Sequence, residues 1–148
     1  MGNICRSPAA EIVMKTIIRE AGLESQFQCD SCGTVAYHQG EKPDSRMVGA
    51  GKRKGFIISG SSRPIINKDF DEFDYIFTMD DENYSNVLKL TSNSKQRNKV
   101  KKFCTFMTHH DESEIPDPYY GGVQGFDNVI DLLHDGCNEI LKQLQNIK

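Results

Sequence analysis

The opening stretch of the chain, in which a small polar loop leads directly into an amphipathic run, most constrains its fold. Residues 1–8 read MGNICRSP. Gly2 lets the backbone approach a ligand closely, and Arg6 can offer a planar pair of donors to two oxygens of an anion. Ser7 is a good N-cap, and Pro8 suits the first helical position. The stretch therefore predicts an anion bound at a helix N-terminus; an ordinary terminus ahead of a capped helix is the alternative.

The rest of the chain predicts strands that alternate with helices. Apolar residues at helical spacing indicate a first helix from Ser7 to about Ala21, ended by Gly22, and a long last helix from Phe126 to the C-terminus. Further helices are expected at 44–54, 69–73 and 80–90, strands at 27–31, 75–79 and 99–103, and a loop at 91–97. This order predicts a single α/β domain over residues 1–148, with a parallel sheet flanked by helices.

A second motif lies in the long loop expected at 104–125, where residues 116–122 read PDPYYGG. Loops of this length inside a compact domain are usually functional or disordered. Asp117 alone is typical of a turn residue before a proline. Next to an anion loop, however, its carboxyl group is a candidate general acid for a leaving oxygen.

Together the two motifs resemble the low-molecular-weight protein tyrosine phosphatases, whose loop reads Cys-x-Gly-Asn-x-Cys-Arg-Ser and whose general acid lies in Asp-Pro-Tyr-Tyr. Further matches are DSCGT at 30–34, PDSR at 43–46, SRP at 62–64, DYIF at 74–77 and MD at 79–80. The resemblance implies hydrolysis of protein phosphotyrosine, or of a small aryl phosphate, through a cysteinyl-phosphate intermediate. Arg6 and Asp117 would be catalytic, and Tyr37, Tyr119 and Tyr120 would line the cleft. Phosphate would be bound by Gly2, Asn3, Ile4, Cys5, Arg6 and Ser7.

The sequence departs from the family pattern at its beginning. The family's nucleophilic cysteine lies six positions before the loop arginine, which here is the position preceding Met1. The family's first, interior strand would precede it too, so we expect a start assigned at an internal methionine; a deliberately truncated or naturally short form is the alternative. As written, the chain is expected to be inactive and poorly stable as a monomer. By the same resemblance, Cys5 matches a cysteine that can form a disulfide with the nucleophile.

Composition limits the kinds of partner and ligand that we expect for the protein. A net charge of −3 and a pI near 5.8 argue against a nucleic-acid partner, for which a basic surface is expected. No apolar run is long enough to span a bilayer and no signal peptide precedes the first motif, so we expect a cytoplasmic protein without a membrane partner. Inorganic phosphate or another oxyanion is the expected small ligand. No metal or other cofactor is expected, because the arginine and the loop amides would stabilise the charge.

The five cysteines, in a chain without an export signal, do not indicate a disulfide framework. Cys29 and Cys32 form a Cys-x-x-Cys pair, but strand alternation would place them on opposite faces. Two functions remain as alternatives to the phosphatase. One is a non-catalytic anion-binding or interaction module, and the other is an arsenate reductase of the same fold, which would need further cysteines to relay oxidation.

Overall fold

The computed structural model describes residues 5–34, 39–118 and 122–147, and it confirms the α/β class. The helices are α1 (Arg6–Glu20), α2 (Ser45–Arg53), α3 (Asp69–Glu72), α4 (Asp81–Leu88), α5 (Ser94–Asn98) and α6 (Val123–Ile147). Strands β1 (Ile76–Thr78) and β2 (Val100–Lys102) pair in parallel, and a 3₁₀ turn (Phe103–Phe106) follows β2. The candidate active site lies at the end of β1, where the chain enters α4.

Helix α1 begins earlier than the sequence predicts. Cys5 occupies the N-cap position without a side-chain cap, and the Ala9 N–H donates to the Cys5 carbonyl at 3.3 Å. The predictions of Ser7 as the N-cap and Pro8 as the first helical residue are therefore wrong. The first amides of a helix have no intrahelical partner, so the missing N–H of Pro8 is tolerated within the first turn. The predicted end is confirmed by Gly22, which has a φ of 72°.

Two local predictions need correction. Residues 91–97 are not all loop: α5 begins at Ser94, because the Asn93 side chain accepts a hydrogen bond from the Gln96 N–H at 3.1 Å and caps the helix. Residues 27–31 do not form a strand. Phe27 and Cys29 pack against the core, but a strand also needs a hydrogen-bonded neighbour, and the described residues place no such ladder beside 27–31.

A cavity of about 40 Å³ lies between residues 32–34 and the β1 segment. Cys32, Thr34, Phe77 and Met79 are among the residues that line it. Within the described chain, the Thr34 hydroxyl is the one buried side-chain polar atom that lacks a hydrogen-bond partner. Close to the cavity, Gly33 bridges to Pro64 in a parallel sense. The additional interior strand expected upstream of Met1 stays a prediction.

The core is formed mainly by α1 and α6, which explains the apolar periodicity of both. Gly136 allows α6 to pack closely on the 3₁₀ turn, because a Cβ atom at this position would lie 2.3 Å from the Phe103 ring. None of the described helices is long and apolar enough to cross a membrane. The main buried apolar side chains of the two helices are Ala9, Val13, Ile18, Phe126, Val129, Ile130, Leu133, Cys137 and Ile140.

Candidate active site

Arg6 lies in the first turn of α1 and is almost completely buried, with 4% of its side chain exposed. Its Nη1 donates to Asp80 Oδ2 at 2.7 Å and to the Ile115 carbonyl at 2.7 Å. These two bonds use both hydrogens of Nη1. The Nε–H and the Nη2 hydrogens form the other edge of the guanidinium, which has the geometry that binds two oxygens of an oxyanion in parallel.

Asp80 joins Arg6 to the end of β1. It is the N-cap of α4, where its Oδ1 accepts a hydrogen bond from the Asn83 N–H at 2.7 Å. Burial acts to raise the pKa of Asp80, but the bonds from Asn83 and Arg6 outweigh it and hold the pKa below its usual value. The carboxylate therefore stays charged beside the guanidinium. The sequence marks Asp80 as part of a motif match and as the start of the helix expected at 80–90, but it gives this residue no role in the site.

The loop that carries Asp117 is attached to the same structure. Ile115 is fully buried; its N–H donates to the Met79 carbonyl at 2.8 Å, and its own carbonyl accepts from Arg6. Asp117 follows two residues later and is exposed. Sequence reasoning missed Ile115, because its contribution is made by backbone groups that carry no sequence signal.

Cys5 is buried, with 6% of its surface exposed. Burial raises the pKa of its thiol to about 12. The carboxylates of Asp44 and Asp117 act in the same direction, whereas the Arg46 guanidinium acts to lower the pKa. Asp117 and Asp44 therefore both contribute to the electrostatics of the thiol at the start of α1.

Arg46 adds a second cation that the sequence did not single out. Asp44 caps α2 through the Arg46 N–H, and its two oxygens also accept from Arg46 Nε at 3.1 Å and Nη2 at 3.0 Å. The hydrogen bond from the Arg46 side chain lowers the pKa of Asp44. The guanidinium lies 4.7 Å from the centre of the Phe126 ring, in the first turns of α6. Arg46 thus connects the starts of α2 and α6.

Six predicted site residues lie outside the described ranges: Gly2, Asn3, Ile4, Tyr37, Tyr119 and Tyr120. Ser7 lies in the first turn of α1 and lines the small cavity beside β1. Among the residues that the structure describes, no group of three or more His, Cys, Asp or Glu side chains is placed to hold a metal ion. All five cysteines are free thiols, and Cys29 Sγ lies 3.9 Å from the Glu11 carbonyl oxygen.

The sequence profile described as low molecular weight phosphotyrosine protein phosphatase matches residues 1–148. The chain belongs to this family. A member from Schizosaccharomyces pombe is 39% identical over 145 residues, which are 97% of this chain and 92% of the relative. The Bacillus subtilis member YfkJ is 34% identical over 149 aligned positions, which cover 100% of this chain and 94% of the relative.

Solved structures of family members agree with the fold. A crystal structure of a protein tyrosine phosphatase from Entamoeba histolytica, with Hepes in its active site, superimposes with a TM-score of 0.96 at 45% sequence identity. The match covers 99% of this chain and 93% of that chain. The resemblance stated from the two motifs is thereby confirmed at the level of family and fold.

Proposed function

We propose that the protein hydrolyses phosphotyrosine in proteins, or small aryl phosphates, by a two-step transfer through a cysteinyl phosphate. A thiolate would attack phosphorus while the bond from phosphorus to the aryl oxygen breaks, and Asp117 would give its proton to the departing phenolate. Water would then attack the cysteinyl phosphate, with Asp117 accepting a proton from that water, and would release inorganic phosphate and the thiolate. Membership of the phosphatase family supports this class of reaction.

The arrangement of Arg6 carries the proposal. Its Nη1 donates to Asp80 and to the Ile115 carbonyl, which orients the guanidinium, and the Nε–Nη2 edge is the one that would bind the anion. Arg6 would stabilise the oxygens of the transferring phosphoryl group together with loop amides from residues 2–7. The Hepes bound in the active site of the Entamoeba relative carries a sulfonate, a tetrahedral anionic group of similar shape.

Asp117 supports the proposal through its position. It lies two residues beyond Ile115, whose carbonyl accepts a hydrogen bond from Arg6. A short piece of backbone therefore connects Arg6, the proposed phosphate-binding residue, with Asp117, the proposed proton donor. Tyr37, Tyr119 and Tyr120 are proposed to line the cleft that receives the aryl ring.

Cys5 is proposed to bind phosphate through its backbone rather than to attack it. It directly precedes Arg6, and its buried thiol, with a pKa of about 12, is protonated at neutral pH. The nucleophile is proposed to be a cysteine at the position preceding Met1, as the family pattern implies. The extended form is the chain lengthened at its N-terminus by the residues that the upstream codons encode.

Replacement of Arg6 by lysine tests this proposal. A lysine keeps the charge but lacks the second parallel donor, so vanadate and phosphate should bind to the extended form more weakly by roughly 2–4 kcal/mol. Calorimetry would measure the loss. The control is Arg53→Lys, which makes the same change in an exposed ion pair with Asp127. Equal affinity in the Arg6→Lys and Arg53→Lys proteins would remove Arg6 from the site. Tight anion binding without turnover by the extended form would favour a non-catalytic anion-binding module.

A further inference from the structure

Asp135 is a buried carboxylate on α6 that does not belong to the proposed catalytic groups. Only 3% of its side chain is exposed, whereas the nearby acidic residues Asp127 and Asp131 of the same helix are partly or largely exposed. Burial of a charge is unfavourable unless several donors satisfy it. The positions of those donors therefore show which segment of the chain the Asp135 carboxylate binds.

Within the described part of the chain, the hydrogen bonds to the Asp135 carboxylate come from three consecutive residues at the start of the Asp117 loop. Its Oδ1 accepts from the Thr108 N–H at 3.0 Å and from the Thr108 hydroxyl at 3.3 Å. Its Oδ2 accepts from the His109 N–H at 2.9 Å and lies 2.7 Å from His110 Nδ1. These bonds hold the pKa of Asp135 at about 2, although burial acts to raise it. The carboxylate thus fixes the backbone of residues 108–110 to α6.

The other end of this segment is attached to the start of α4 and the end of β1. Glu114 Oε2 accepts from the Asp81 N–H at 2.7 Å, and Ile115 is bonded to both Met79 and Arg6. Residues 108–115 are therefore held at both ends, one end on α6 and the other beside Arg6. Asp117 follows the second end, two residues beyond Ile115.

We propose that Asp135 is a positioning residue for Asp117 and that the His110 ring completes its hold on the loop. The proposal rests on the role of Asp117 given under Proposed function. Asp135 does not touch the substrate in this account. It determines where residues 108–115 begin, and through them where the acidic side chain is presented.

His110 makes the anchor depend on pH. The hydrogen bond to Asp135 raises the pKa of His110, and the carboxylates of Asp135, Glu112 and Asp131 also favour its charged form. A raised pKa means that this contribution is complete below the unfolded value and is lost as pH rises through the folded value. Asp135, with a lowered pKa, contributes above its own unfolded value. The ion pair is therefore strongest from about pH 4 to the raised pKa of His110.

The first experiment follows the backbone amide resonances of residues 108–117 in the 148-residue chain between pH 5 and 9. The amides of Ile115 and Asp117 should shift with the titration of the His110 ring. His110→Asn, whose amide can replace Nδ1 as a donor without titrating, should abolish this shift and keep the loop resonances near their low-pH positions. The control is His109→Asn, because the described contact of His109 with Asp135 is through its backbone.

The amide titration does not require turnover, so it tests the anchor separately from the proposed function. If the amide chemical shifts of Ile115 and Asp117 did not change as the His110 ring titrates, the proposal would be overturned. The second experiment uses Asp135→Asn in the extended form and measures kcat/KM, which reports transfer of the phosphoryl group to the thiolate and not the later hydrolysis. For aryl phosphates with poor leaving groups kcat/KM should fall about tenfold, and for good leaving groups it should stay the same. If Asp135→Asn changed kcat/KM by the same factor for poor and good leaving groups, the positioning role would be overturned. If Asp117→Asn showed no leaving-group effect, the general-acid role of Asp117 would fail, and an extended form without turnover would contradict the proposed function itself.

Discussion

Asp80 holds Arg6 with one carboxylate oxygen while its other oxygen caps helix α4. The Arg6 Nη1 and the Asn83 N–H each lie 2.7 Å from a different oxygen of the same carboxylate. The position of the guanidinium is therefore tied to the junction between β1 and α4. A single substitution can separate the two roles of Asp80, because asparagine caps helices as well as aspartate does.

Asp80→Asn should preserve the cap and remove the ion pair. Its amide oxygen can still accept from Asn83, but the buried Arg6 charge loses its counterion. We expect the free energy of unfolding to fall by roughly 2–3 kcal/mol, between the values typical of a charged hydrogen bond and of a broken buried pair. Chemical denaturation at pH 7 measures this change. Asp81→Asn is the control, because it removes the same charge from an exposed neighbour paired with Lys102. Similar losses in both variants would contradict the special role of Asp80.

Asp117→Asn tests the general acid in the extended form. Asparagine has nearly the same shape but cannot donate a carboxyl proton, so hydrolysis should slow far more for esters with poor leaving groups than for those with good ones. Rates across a series of substituted phenyl phosphates measure the difference. Asp111→Asn, in the same loop and also exposed, provides a control for the charge change. Uniform slowing across the series would show that Asp117 only shapes the loop.

The sequence predicted five of the six described helices, all but α5, because their signals are local. Apolar spacing marks α1 and α6, while Asp44 and Asp80 mark the starts of α2 and α4 through cap hydrogen bonds between near neighbours in the chain. The error at residues 27–31 has a different origin. Alternating side chains describe which face of a segment is buried, but a strand also needs a neighbouring backbone, and only the fold supplies one.

The site could be predicted from the sequence only in part. Arg6 and Asp117 stand in recognisable motifs, whereas Ile115 contributes backbone groups and Asp135 is one acidic residue among several on α6. Their roles depend on contacts between residues far apart in the chain, such as the 109-residue separation of Arg6 and Ile115. The roles proposed for Gly2, Asn3 and Tyr37 stay predictions.

A matched pair of glycine substitutions tests the packing of α6 on the 3₁₀ turn. A Cβ atom at Gly136 would lie 2.3 Å from the Phe103 ring, and Phe103 is fully buried, so the ring has little room to move. Gly136→Ala should destabilise the chain by roughly 1–3 kcal/mol despite the better helix propensity of alanine.

Gly49→Ala in α2 is the control for that prediction. Its nearest neighbour would be the end of the flexible Arg53 side chain at 3.5 Å, so it should stabilise the chain by about 0.5–1 kcal/mol. Thermal or chemical unfolding of the two variants gives the comparison. If Gly136→Ala proved as stable as Gly49→Ala, the close contact between α6 and Phe103 would be wrong.

The last prediction concerns Cys5, the only cysteine in the first turn of α1 or next to it. A thiol whose pKa is raised to about 12 is almost entirely protonated at pH 7, and thiolate is the form that attacks phosphorus. The chain from Met1 should therefore show no Cys5-dependent hydrolysis of an aryl phosphate. Alkylation of Cys5 by iodoacetamide, followed by mass spectrometry, should be slow at pH 7 and accelerate only in strong base.

The extended form should hydrolyse the substrate, and the Cys5→Ser substitution in the extended form should leave its nucleophilic cysteine intact. A chain from Met1 that hydrolyses the ester at a rate near that of the extended form, and loses this activity in Cys5→Ser, would show that the nucleophile has been placed wrongly.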